Sequence, residues 1–549
     1  MYYQNNNAES RRDLKLLINT LEIVMKINTS MTIIFLLSTF GISGPNSVFN
    51  NGSNMIQIAD VNNFVFNSIS VDMENNGMLV SYRFTGSSGM EWPLGTNKFL
   101  DYSSGIWFAG QINDEIRTAV GEYGPEFVPG TYGSDPEDQI HRIYYVSATD
   151  LNNPMISPDI VNWPWTEGAP WIDSNNDGVY DIFDGDLPDM HGDFMIWYVM
   201  NDGDANNHNI FGTAPMNLEV SVLQWGYNGS YNDLSLQNMI FTKILFKNHG
   251  EEIIEDMYFS IWDDPDLGFA GDDFVGCDTT LSLGYCYNDG TDADYGDNPP
   301  AIGRVILQGP MIESIADTAF AFGELQIGFQ NLQMSSFVKY VNGDLVYLDP
   351  NDAQEAYHYM SGKLRDGTDI INTATGLPSK FVHDCNPNDN TGGSDGCWVD
   401  SDDHAPGDRR YLLSSGPFTM SPGNLQEIIF VTVISQGSNA LNSVSDLIEN
   451  SEIAHQLYDN NFSGITELEF DHFEISNPVI LSDNLNHDGN WNNGETVSID
   501  ILITNPTNDS LTQIINFGST NSQVNIIDES PFTLTLGPLE QISMNEIIG

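Results

Sequence analysis

The sequence has 549 residues, too many for one ordinary hydrophobic core, so about two to four domains are expected. Its apolar content of 40% is enough for packed cores and excludes wholesale disorder. Asp and Glu number 77 against 17 Lys and Arg, and the resulting net charge of −60 disfavours nucleic acid and anionic lipid as partners. Such a charge attracts divalent cations, although adaptation to saline water explains the charge alone equally well.

The N-terminal segment predicts an exported protein. Met25 and Lys26 precede an apolar run at 31–40 and several small residues, which is the order of regions in a signal peptide. The run is shorter than the roughly 20 residues that cross a bilayer. We interpret residues 1–45 as a signal peptide with an over-extended start and expect a secreted or cell-surface bacterial protein. No later stretch suggests a transmembrane span.

Residues 55–462 consist of short apolar and aromatic runs separated by Gly, Asn, Asp and Pro. Such runs are typical of the strands of β-sandwiches. The clearest runs are at 78–84, 105–110, 194–200, 239–247 and 426–434. They predict a mainly β, multi-domain sandwich architecture with one or two short helices. This large region is either one body or two packed sandwiches split near 215–235.

Two segments favour helices. Residues 351–360 have Asp352 near their start, and residues 443–458 place apolar side chains near a helical period behind a Ser cap. The second is predicted to close the large region before a linker near 460–464.

The chain then restarts as a β-domain at 466–549. Alternating strands there favour an immunoglobulin-like sandwich, and their small number favours a truncated domain.

The strongest site signal is the loop at 173–184, which has the spacing of an EF-hand-like calcium loop. Oxygen ligands occur at positions 1, 3, 5, 7, 9 and 12, namely Asp173, Asn175, Asp177, the carbonyl of Val179, Asp181 and Asp184. Gly178 at position 6 lets the chain wrap closely around an ion. The alternative is an Asx-rich surface turn, which the same residue types favour.

A second loop at 484–495 has the same spacing. Its candidate ligands are Asn484, Asn486, Asp488, the carbonyl of Asn490, Asn492 and Glu495. The neutral Asn484 at position 1 predicts a lower affinity. Neither loop has convincing helices on both sides, so both are expected to be static structural Ca²⁺ sites.

A third acidic segment lacks a regular ligand register. It contributes weaker metal candidates, which are Asp263, Asp264, Asp266, Asp272 and Asp273. A second cation site and a solvated acidic loop explain it equally well.

Four cysteines are present, an even number that permits disulfides in an exported chain. Cys385 and Cys397 bracket a turn-rich loop, which favours a bridge between them. Cys277 and Cys286 either face each other on neighbouring strands or remain two buried free thiols. Zinc is disfavoured because no CxxC or paired His accompanies them.

Catalytic patterns are weak throughout the sequence. Ser394 fits GxSxG, but it lies in a Gly/Asp loop and not at a strand-to-helix elbow. Any of the 77 acids can form a carboxylate pair of the glycosidase type in space, and the sequence does not identify one. Trp163, Trp165 and Trp171 suit sugar stacking, although a place in a β-core is the alternative.

Several stretches carry a resemblance, including Ser104-Gly-Ile-Trp-Phe-Ala-Gly, Asp264-Pro-Asp-Leu-Gly and Asp408-Arg-Arg-Tyr-Leu-Leu-Ser-Ser-Gly-Pro-Phe-Thr-Met. Over roughly 70–460 the chain resembles a family of uncharacterised large secreted proteins of Bacteroidota and Marinimicrobia-type bacteria. Those proteins usually carry a type IX secretion sorting domain, which is absent from this sequence and whose absence favours truncation. The resemblance implies secretion or surface display and lends no catalytic residues.

The leading functional interpretation is a calcium-binding structural, adhesion or glycan-binding protein without evident catalysis. Its expected partners are extracellular glycans or other surface proteins. The alternative is an extracellular hydrolase, either a glycoside hydrolase or a peptidase, that uses acidic residues.

Overall fold

The computed structural model describes residues 23–27, 31–35, 61–83, 86–228, 234–389, 397–462, 474–475, 479–483, 497–504, 511–515, 532–536 and 541–548. The strands are β1 Ile23–Ile27, β2 Met31–Phe35, β3 Val61–Phe66, β4 Ile69–Glu74, β5 Met78–Val80, β6 Met90–Glu91, β7 Phe99–Asp101, β8 Ser103–Ile112, β9 Glu115–Val120, β10 Val128–Pro129, β11 Tyr144–Ser147, β12 Trp171–Ile172, β13 Leu187–Pro188, β14 Phe194–Asn201, β15 Leu218–Gly226, β16 Met239–Asn248, β17 Ile254–Asp264, β18 Phe274–Asp278, β19 Leu283–Tyr287, β20 Ala301–Gln308, β21 Met311–Ala321, β22 Glu324–Asn331, β23 Ser336–Val341, β24 Ile370–Asn372, β25 Leu377–Ser379, β26 Arg409–Met420, β27 Leu425–Ser435, β28 Glu474–Ile475, β29 Val479–Asp483, β30 Val497–Thr504, β31 Leu511–Ile515, β32 Phe532–Leu536 and β33 Gln541–Ile548. The helices are α1 Pro158–Val161, α2 Ala353–Met360, α3 Asp400–Asp403 and α4 Ala440–Asp459.

The chain forms two compact units. One is Met55–Thr466, and the other combines Met1–Asn54 with Glu467–Gly549. The boundary before Glu467 agrees with the predicted restart at 466.

In the smaller unit, β30 pairs with β28, β29 and β33, and separate antiparallel pairs are formed by β31 with β32 and by β1 with β2. The β1–β2 pair lies within the predicted signal peptide, so export stays a prediction.

Two large antiparallel sheets build the larger unit. The nine-stranded sheet has the order β10-β14-β15-β16-β27-β20-β19-β18, with β11 also pairing with β14. The six-stranded sheet has the order β23-β26-β17-β8-β5, with β9 also pairing with β8. β15 pairs with both β14 and β16, so continuous sheet runs through the region near 215–235, where the sequence left open a division into two packed sandwiches.

Side-chain alternation along the nine-stranded sheet places core on both of its faces. In β14, Ile196 and Tyr198 belong to the core shared with the six-stranded sheet, where Phe108 lies. Met195 and Trp197 belong to a second core on the opposite face. Successive residues of a strand point to opposite faces, so a run that is apolar throughout indicates a strand buried on both sides.

Helix α4 covers the second face of this sheet. Val444 and Leu447 are buried in the second core, and the side chain of Asn439 caps the helix by accepting from the Asn442 amide at 3.0 Å. Both predicted helices are present, since α2 begins after Asp352, whose carboxylate accepts from Glu355 N at 2.9 Å. None of the described helices has the length and apolar character needed to cross a membrane.

The four cysteines form one disulfide and two free thiols. Cys385 and Cys397 form a disulfide with a Cα–Cα distance of 5.4 Å, as the sequence predicts. Cys277 lies opposite Gly284, and Cys286 lies opposite Val275, so the two sulfurs are not directly across the β18–β19 pair. Both are buried free thiols, which corrects the alternative of a second bridge.

Candidate functional site

Two consecutive acids at the end of β17 point to opposite faces of the six-stranded sheet. Asp263 points toward the nine-stranded sheet, where its Oδ2 accepts from Arg304 Nε at 3.0 Å and from Tyr411 Oη at 2.5 Å. Asp264 points to the outer face, where it accepts from Arg410 Nε at 3.1 Å and from Tyr123 Oη at 2.5 Å. Alternation along β17 therefore separates an internal ion pair from a site near the surface.

The outer-face site is a group of carboxylates around Asp264. One carboxylate oxygen from each of Asp264, Asp266 and Asp408 lies within 4.8 Å of the other two. Asp264 is buried, whereas Asp266 and Asp408 are partly exposed. We call these three residues the outer acid cluster. Its oxygens are donors of the hard type that Ca²⁺ prefers.

One guanidinium serves this cluster and a further acid. Arg410 Nη1 donates to both oxygens of Asp349 at 3.0 and 3.1 Å, and its Nη2 lies 3.5 Å from Asp408 Oδ2. Asn342 also donates to Asp408 Oδ2 at 2.7 Å. Arg410 thus faces three carboxylates, two of which belong to the cluster, so the site has an excess of negative charge.

The electrostatics of the cluster favour an added positive charge. Burial raises the pKa of Asp264 to about 7, with Arg410 acting in the opposite direction. Burial and the charge of Asp408 raise the pKa of Asp266 to about 6. A raised pKa means that these carboxyl groups bind a proton more tightly than the same groups do in water. A divalent cation would neutralise the same negative charge.

Glu122 lies near the same face, in the loop that follows β9. Burial raises its pKa to about 8, and the charges of Asp349 and Glu126 act in the same direction. The side chain keeps part of its surface exposed. Glu122 is therefore protonated over much of the neutral pH range.

Three tyrosines lie beside the outer acid cluster, and we call Tyr82, Tyr102 and Tyr123 the tyrosine group. The rings of Tyr82 and Tyr102 stack with centroids 4.9 Å apart, and Tyr123 meets Tyr82 edge-on at 5.9 Å. The backbone amide of Tyr102 donates to the carbonyl of Asp264 at 3.0 Å, which joins the group to the cluster. All three side chains are partly exposed. Partly exposed aromatic faces next to carboxylates suit recognition of sugar rings.

A buried hydroxyl lies next to Arg410. Tyr340 stands opposite Arg410 in the β23–β26 register, and its ring stacks on Tyr359 with centroids 4.9 Å apart. Its Oη is buried and has no hydrogen-bond partner among the described residues. A buried polar atom without a protein partner marks a place where a water or a ligand is expected.

The first predicted calcium loop brings some of its candidates together. Asn175 Nδ2 donates to Asp177 Oδ2 at 3.0 Å and to Asp184 Oδ2 at 3.3 Å. The Asp173 carboxylate accepts from the backbone amides of Asp177 and Gly178 at 3.2 and 2.8 Å. Asx-rich turns make the same bonds, so calcium at this loop stays a prediction.

Two further candidates of that loop lie differently. Asp181 accepts from Phe183 N at 2.8 Å, and Val179 is exposed. Asp186, which lies outside the predicted ligand spacing, is fully buried and accepts from Ser174 N at 2.8 Å and from Asp181 N at 2.9 Å. This carboxylate two residues beyond position 12 ties the ends of the loop together.

The second predicted loop, with Asn484, Asn486, Asp488, Asn490, Asn492 and Glu495, lies outside the described residues, and so does Ser394. Trp163 is buried in the second core, and Trp165 and Trp171 pack against it. Trp163 is therefore a core residue, which was the alternative to sugar stacking, and Trp165 and Trp171 are partly buried at the edge of that core.

The weaker acidic candidates divide into three groups. Asp264 and Asp266 belong to the outer acid cluster, Asp263 belongs to the internal ion pair, and Asp272 and Asp273 lie together before β18. No ligand spacing in the sequence indicated Asp408 or its neighbours Arg410, Asp349 and Glu122. The only signal for Asp408 and Arg410 was their place in one of the stretches that carry the resemblance.

Comparisons with known proteins add little to this site. No protein-family model matches the chain, and no curated protein matches it. Among solved structures it is similar to a polysaccharide lyase, with 7% sequence identity and a TM-score of 0.23 over 89% of this chain. The chain spans 45% of that lyase's length. A likeness at this identity and TM-score supports no conclusion about fold or activity.

Proposed function

We propose that this chain is a secreted or cell-surface, calcium-dependent glycan-binding protein. The observation that carries the proposal is the outer acid cluster of Asp264, Asp266 and Asp408, which lies directly beside the partly exposed tyrosine group. The β-sandwich architecture of the larger unit supplies a rigid sheet face for both. The role is binding, adhesion or surface-layer formation, without catalysis.

The donor set suits Ca²⁺. Calcium takes six to eight oxygen ligands at flexible angles, so three carboxylates leave coordination positions for water or for sugar hydroxyls. The tyrosine rings offer apolar faces on which a pyranose ring stacks. A cation that binds sugar hydroxyls beside an aromatic wall explains why acids and tyrosines meet here.

The extracellular setting supports the same proposal. Extracellular modules bind Ca²⁺ with dissociation constants of roughly 10⁻⁴–10⁻³ M. A partly exposed site with few protein ligands suits an affinity in this range. The net charge of −60 is tolerated more easily where calcium screens it. The loops at 173–184 and 484–495 are proposed as separate structural calcium sites.

The test is calcium-dependent glycan binding by the full chain. Binding to a glycan array is measured in calcium and in EGTA, and calcium affinity is measured by titration calorimetry. Asp264→Asn and Asp408→Asn are expected to weaken glycan binding at least about 10-fold, because each removes a charged ligand. Asp177→Asn in the 173–184 loop is the matched control and is expected to leave glycan binding unchanged. Glycan binding that is equal in calcium and in EGTA contradicts the proposal.

A second candidate function is extracellular hydrolysis, and Glu122 favours it. A carboxyl group that holds its proton near neutral pH is what a general acid needs. Its pKa of about 8 provides an acid, and Asp349, whose charge acts on it, is the candidate base. A panel of polysaccharides is incubated with the wild type and with Glu122→Gln. Product formation that Glu122→Gln abolishes supports hydrolysis, and binding without any product supports the first function.

A further inference from the structure

A buried lysine lies on β23, the end strand of the six-stranded sheet, next to α3. Lys339 is 0% exposed and forms a salt bridge with Asp400, which is also fully buried. Its Nζ lies 2.7 Å from His383 Nε2 and 3.0 Å from His404 Nδ1. The ammonium therefore has one partner for each of its three hydrogens, although two of these partners are able to carry a positive charge themselves.

The hydrogen bonds of this group require two neutral histidines. An ammonium only donates hydrogen bonds, so each imidazole nitrogen that faces Lys339 must be an acceptor. His404 then carries its proton on Nε2, which lies 3.5 Å from Asp344 Oδ2. His383 carries its proton on Nδ1, which is buried and has no hydrogen-bond partner among the described residues. A second proton on either ring places an N–H group and a positive charge against the ammonium.

The charges around His404 come from four elements. Lys339 on β23 and Arg409 on β26 are positive, whereas Asp400 on α3 and Asp344 in the loop after β23 are negative. Asp400 also accepts from Arg409 Nε at 3.0 Å, so two basic groups already neutralise it. Burial and the charge of Lys339 lower the pKa of His404. Burial also lowers the pKa of Lys339, so acid pH favours its ammonium form.

Three further titratable groups face the same place. Burial holds the pKa of His383 well below its ordinary value. The ring of Tyr347 meets that of His404 edge-on, with centroids 5.6 Å apart. Asp403 precedes His404 in the chain, and its carboxylate accepts from Trp398 Nε1 at 2.8 Å. The side chain of His404 is 21% exposed and that of His383 is 1% exposed, so His404 is the ring that protons from solvent reach.

The same segments hold one ligand of the outer acid cluster. Asp408 lies four residues after His404, in the loop that joins α3 to β26. Asn342, in the loop after β23, donates to Asp408 Oδ2 at 2.7 Å, and Asp344 in the same loop faces His404. The two loops therefore meet at two points, one at the histidine and one at the cluster ligand. A displacement of His404 reaches Asp408 through both loops.

We propose that this polar group is a pH-sensitive latch that holds Asp408 in the outer acid cluster at neutral pH and releases it in acid. The latch consists of Lys339, Asp400, His383 and His404. When His404 takes up a proton, its ring leaves the ammonium and turns to the acid in the loop after β23. The added positive charge and the displaced loop both weaken cation binding at the cluster. The effect on glycan binding rests on the proposed calcium site, whereas the opening of the latch needs no calcium.

The first test is the pH dependence of the melting temperature of the full chain in EGTA. Below pH 6.5 an unfolded histidine binds a proton that the folded His404 excludes, so stability falls as the pH falls. His404→Asn keeps an acceptor near the position of Nδ1 and does not titrate. Between pH 7.5 and pH 5.5 this variant is expected to lose about 1–2 °C less than the wild type. Equal losses overturn the latch.

The matched control is His455→Gln on α4. His455 is also partly buried, and its Nε2 donates to the Leu281 carbonyl at 2.8 Å, a bond that the glutamine amide retains. This variant is expected to keep the wild-type pH dependence. A change as large as that in His404→Asn overturns the assignment of the proton to the latch.

Calcium titration calorimetry tests the link to the outer acid cluster. Acid weakens calcium binding in the wild type partly because Asp264 and Asp266 take up protons themselves. From pH 7.5 to pH 5.5 the affinity of His404→Asn is expected to fall at least about 3-fold less than that of the wild type. An equal fall overturns the control of Asp408 by the latch. If neither protein binds calcium, the proposed function fails, and the melting temperatures in EGTA still decide whether the latch exists.

Asp344→Asn keeps the test decisive if His404→Asn folds poorly. Asp344 Oδ1 accepts from the backbone amides of Val346 at 2.7 Å and Tyr347 at 2.9 Å, and the asparagine oxygen retains these bonds. The variant removes the charge to which the protonated ring turns. Its calcium affinity is therefore expected to persist to lower pH than in the wild type, and an unmoved acid transition overturns the latch.

Discussion

Asp263 and Asp264 are neighbours in the chain, yet they belong to two polar groups with opposite character. The inner group consists of Asp263, Asp101, Arg304, Tyr411, Thr432 and Ser104, and all of its members are buried. The outer group is built around Asp264, with one arginine, several carboxylates and partial exposure to solvent. The inner group has the features of a structural tie between sheets, and the outer group has those of a binding site.

The inner group is nearly balanced in charge and hydrogen bonds. Arg304, from the nine-stranded sheet, donates from Nε to Asp263 Oδ2 at 3.0 Å and from Nη2 to Asp263 Oδ1 at 3.2 Å, and it also donates to Asp101 and Thr432. Burial and the charge of Asp263 raise the pKa of Asp101 well above its ordinary value, which favours its neutral form. One guanidinium and one carboxylate then remain. The outer group keeps more acids than Arg410 can neutralise, which leaves a charge for a ligand to satisfy.

The largest expected contrast comes from removing the two arginines. Arg304→Met leaves a buried carboxylate unpaired and is expected to lower the free energy of unfolding by about 3–5 kcal/mol. Arg410→Met is expected to cost less than half as much, because solvent reaches its partners Asp349 and Asp408. Urea unfolding of both variants, followed by tryptophan fluorescence, checks the difference. Equal losses would remove the distinction between a structural and a binding group.

The pH dependence of stability sharpens the description of the outer face. The pKa of Glu122 is raised from 4.5 to about 8, so the folded state holds a proton that the unfolded state has released between these values. Its contribution is fully present below pH 4.5 and is lost as the pH rises through 8. Glu122→Gln is expected to flatten the fall in stability from pH 5 to pH 8, as measured by urea unfolding in EGTA.

The control for this measurement is Glu115→Gln on β9, where the glutamate side chain is 76% exposed. This variant is expected to keep the wild-type pH profile. If Glu122→Gln leaves the pH dependence of stability unchanged, a group other than Glu122 binds the proton on the outer face.

The smallest expected effect comes from a matched pair of tyrosines. Tyr411 Oη donates to Asp263 and Tyr123 Oη donates to Asp264, each at 2.5 Å. Tyr411→Phe leaves a buried acceptor short of one donor and is expected to cost about 1–3 kcal/mol of stability. Tyr123→Phe is expected to cost about 0.5–1.5 kcal/mol and to change calcium affinity, which Tyr411→Phe does not. Calorimetric titration and urea unfolding of both variants test this assignment.

Local patterns in the sequence predicted much of the fold. The apolar runs at 194–200 and 426–434 are strands, helix α4 covers the predicted 443–458, and Cys385 and Cys397 are bridged across a short loop. Each of these features depends on residues close together in the chain. The sequence left a division near 215–235 open, because a turn between two paired strands and a turn between two domains have the same composition.

The candidate site was predictable only in part. The acidic segment after β17 was recognised as a weak cation candidate, but its partners Tyr123, Asp408 and Arg410 lie more than 100 residues away from Asp264 along the chain. The chain has 77 acidic residues, so composition alone does not single out the three acids of the cluster. Spacing therefore favoured the regular loop at 173–184, whose ligands are close in sequence.

By itself the sequence determined the strand character of β17 and, through alternation, that Asp263 and Asp264 point to opposite faces. Only the tertiary structure decided which groups those acids meet. The antiparallel register of β17 with β26 places Tyr411 opposite Asp263, and the next residue, Arg410, reaches Asp264 on the outer face. Arg304 reaches Asp263 because the two large sheets pack face to face. Both depend on contacts between segments far apart in the chain, which the local pattern does not encode.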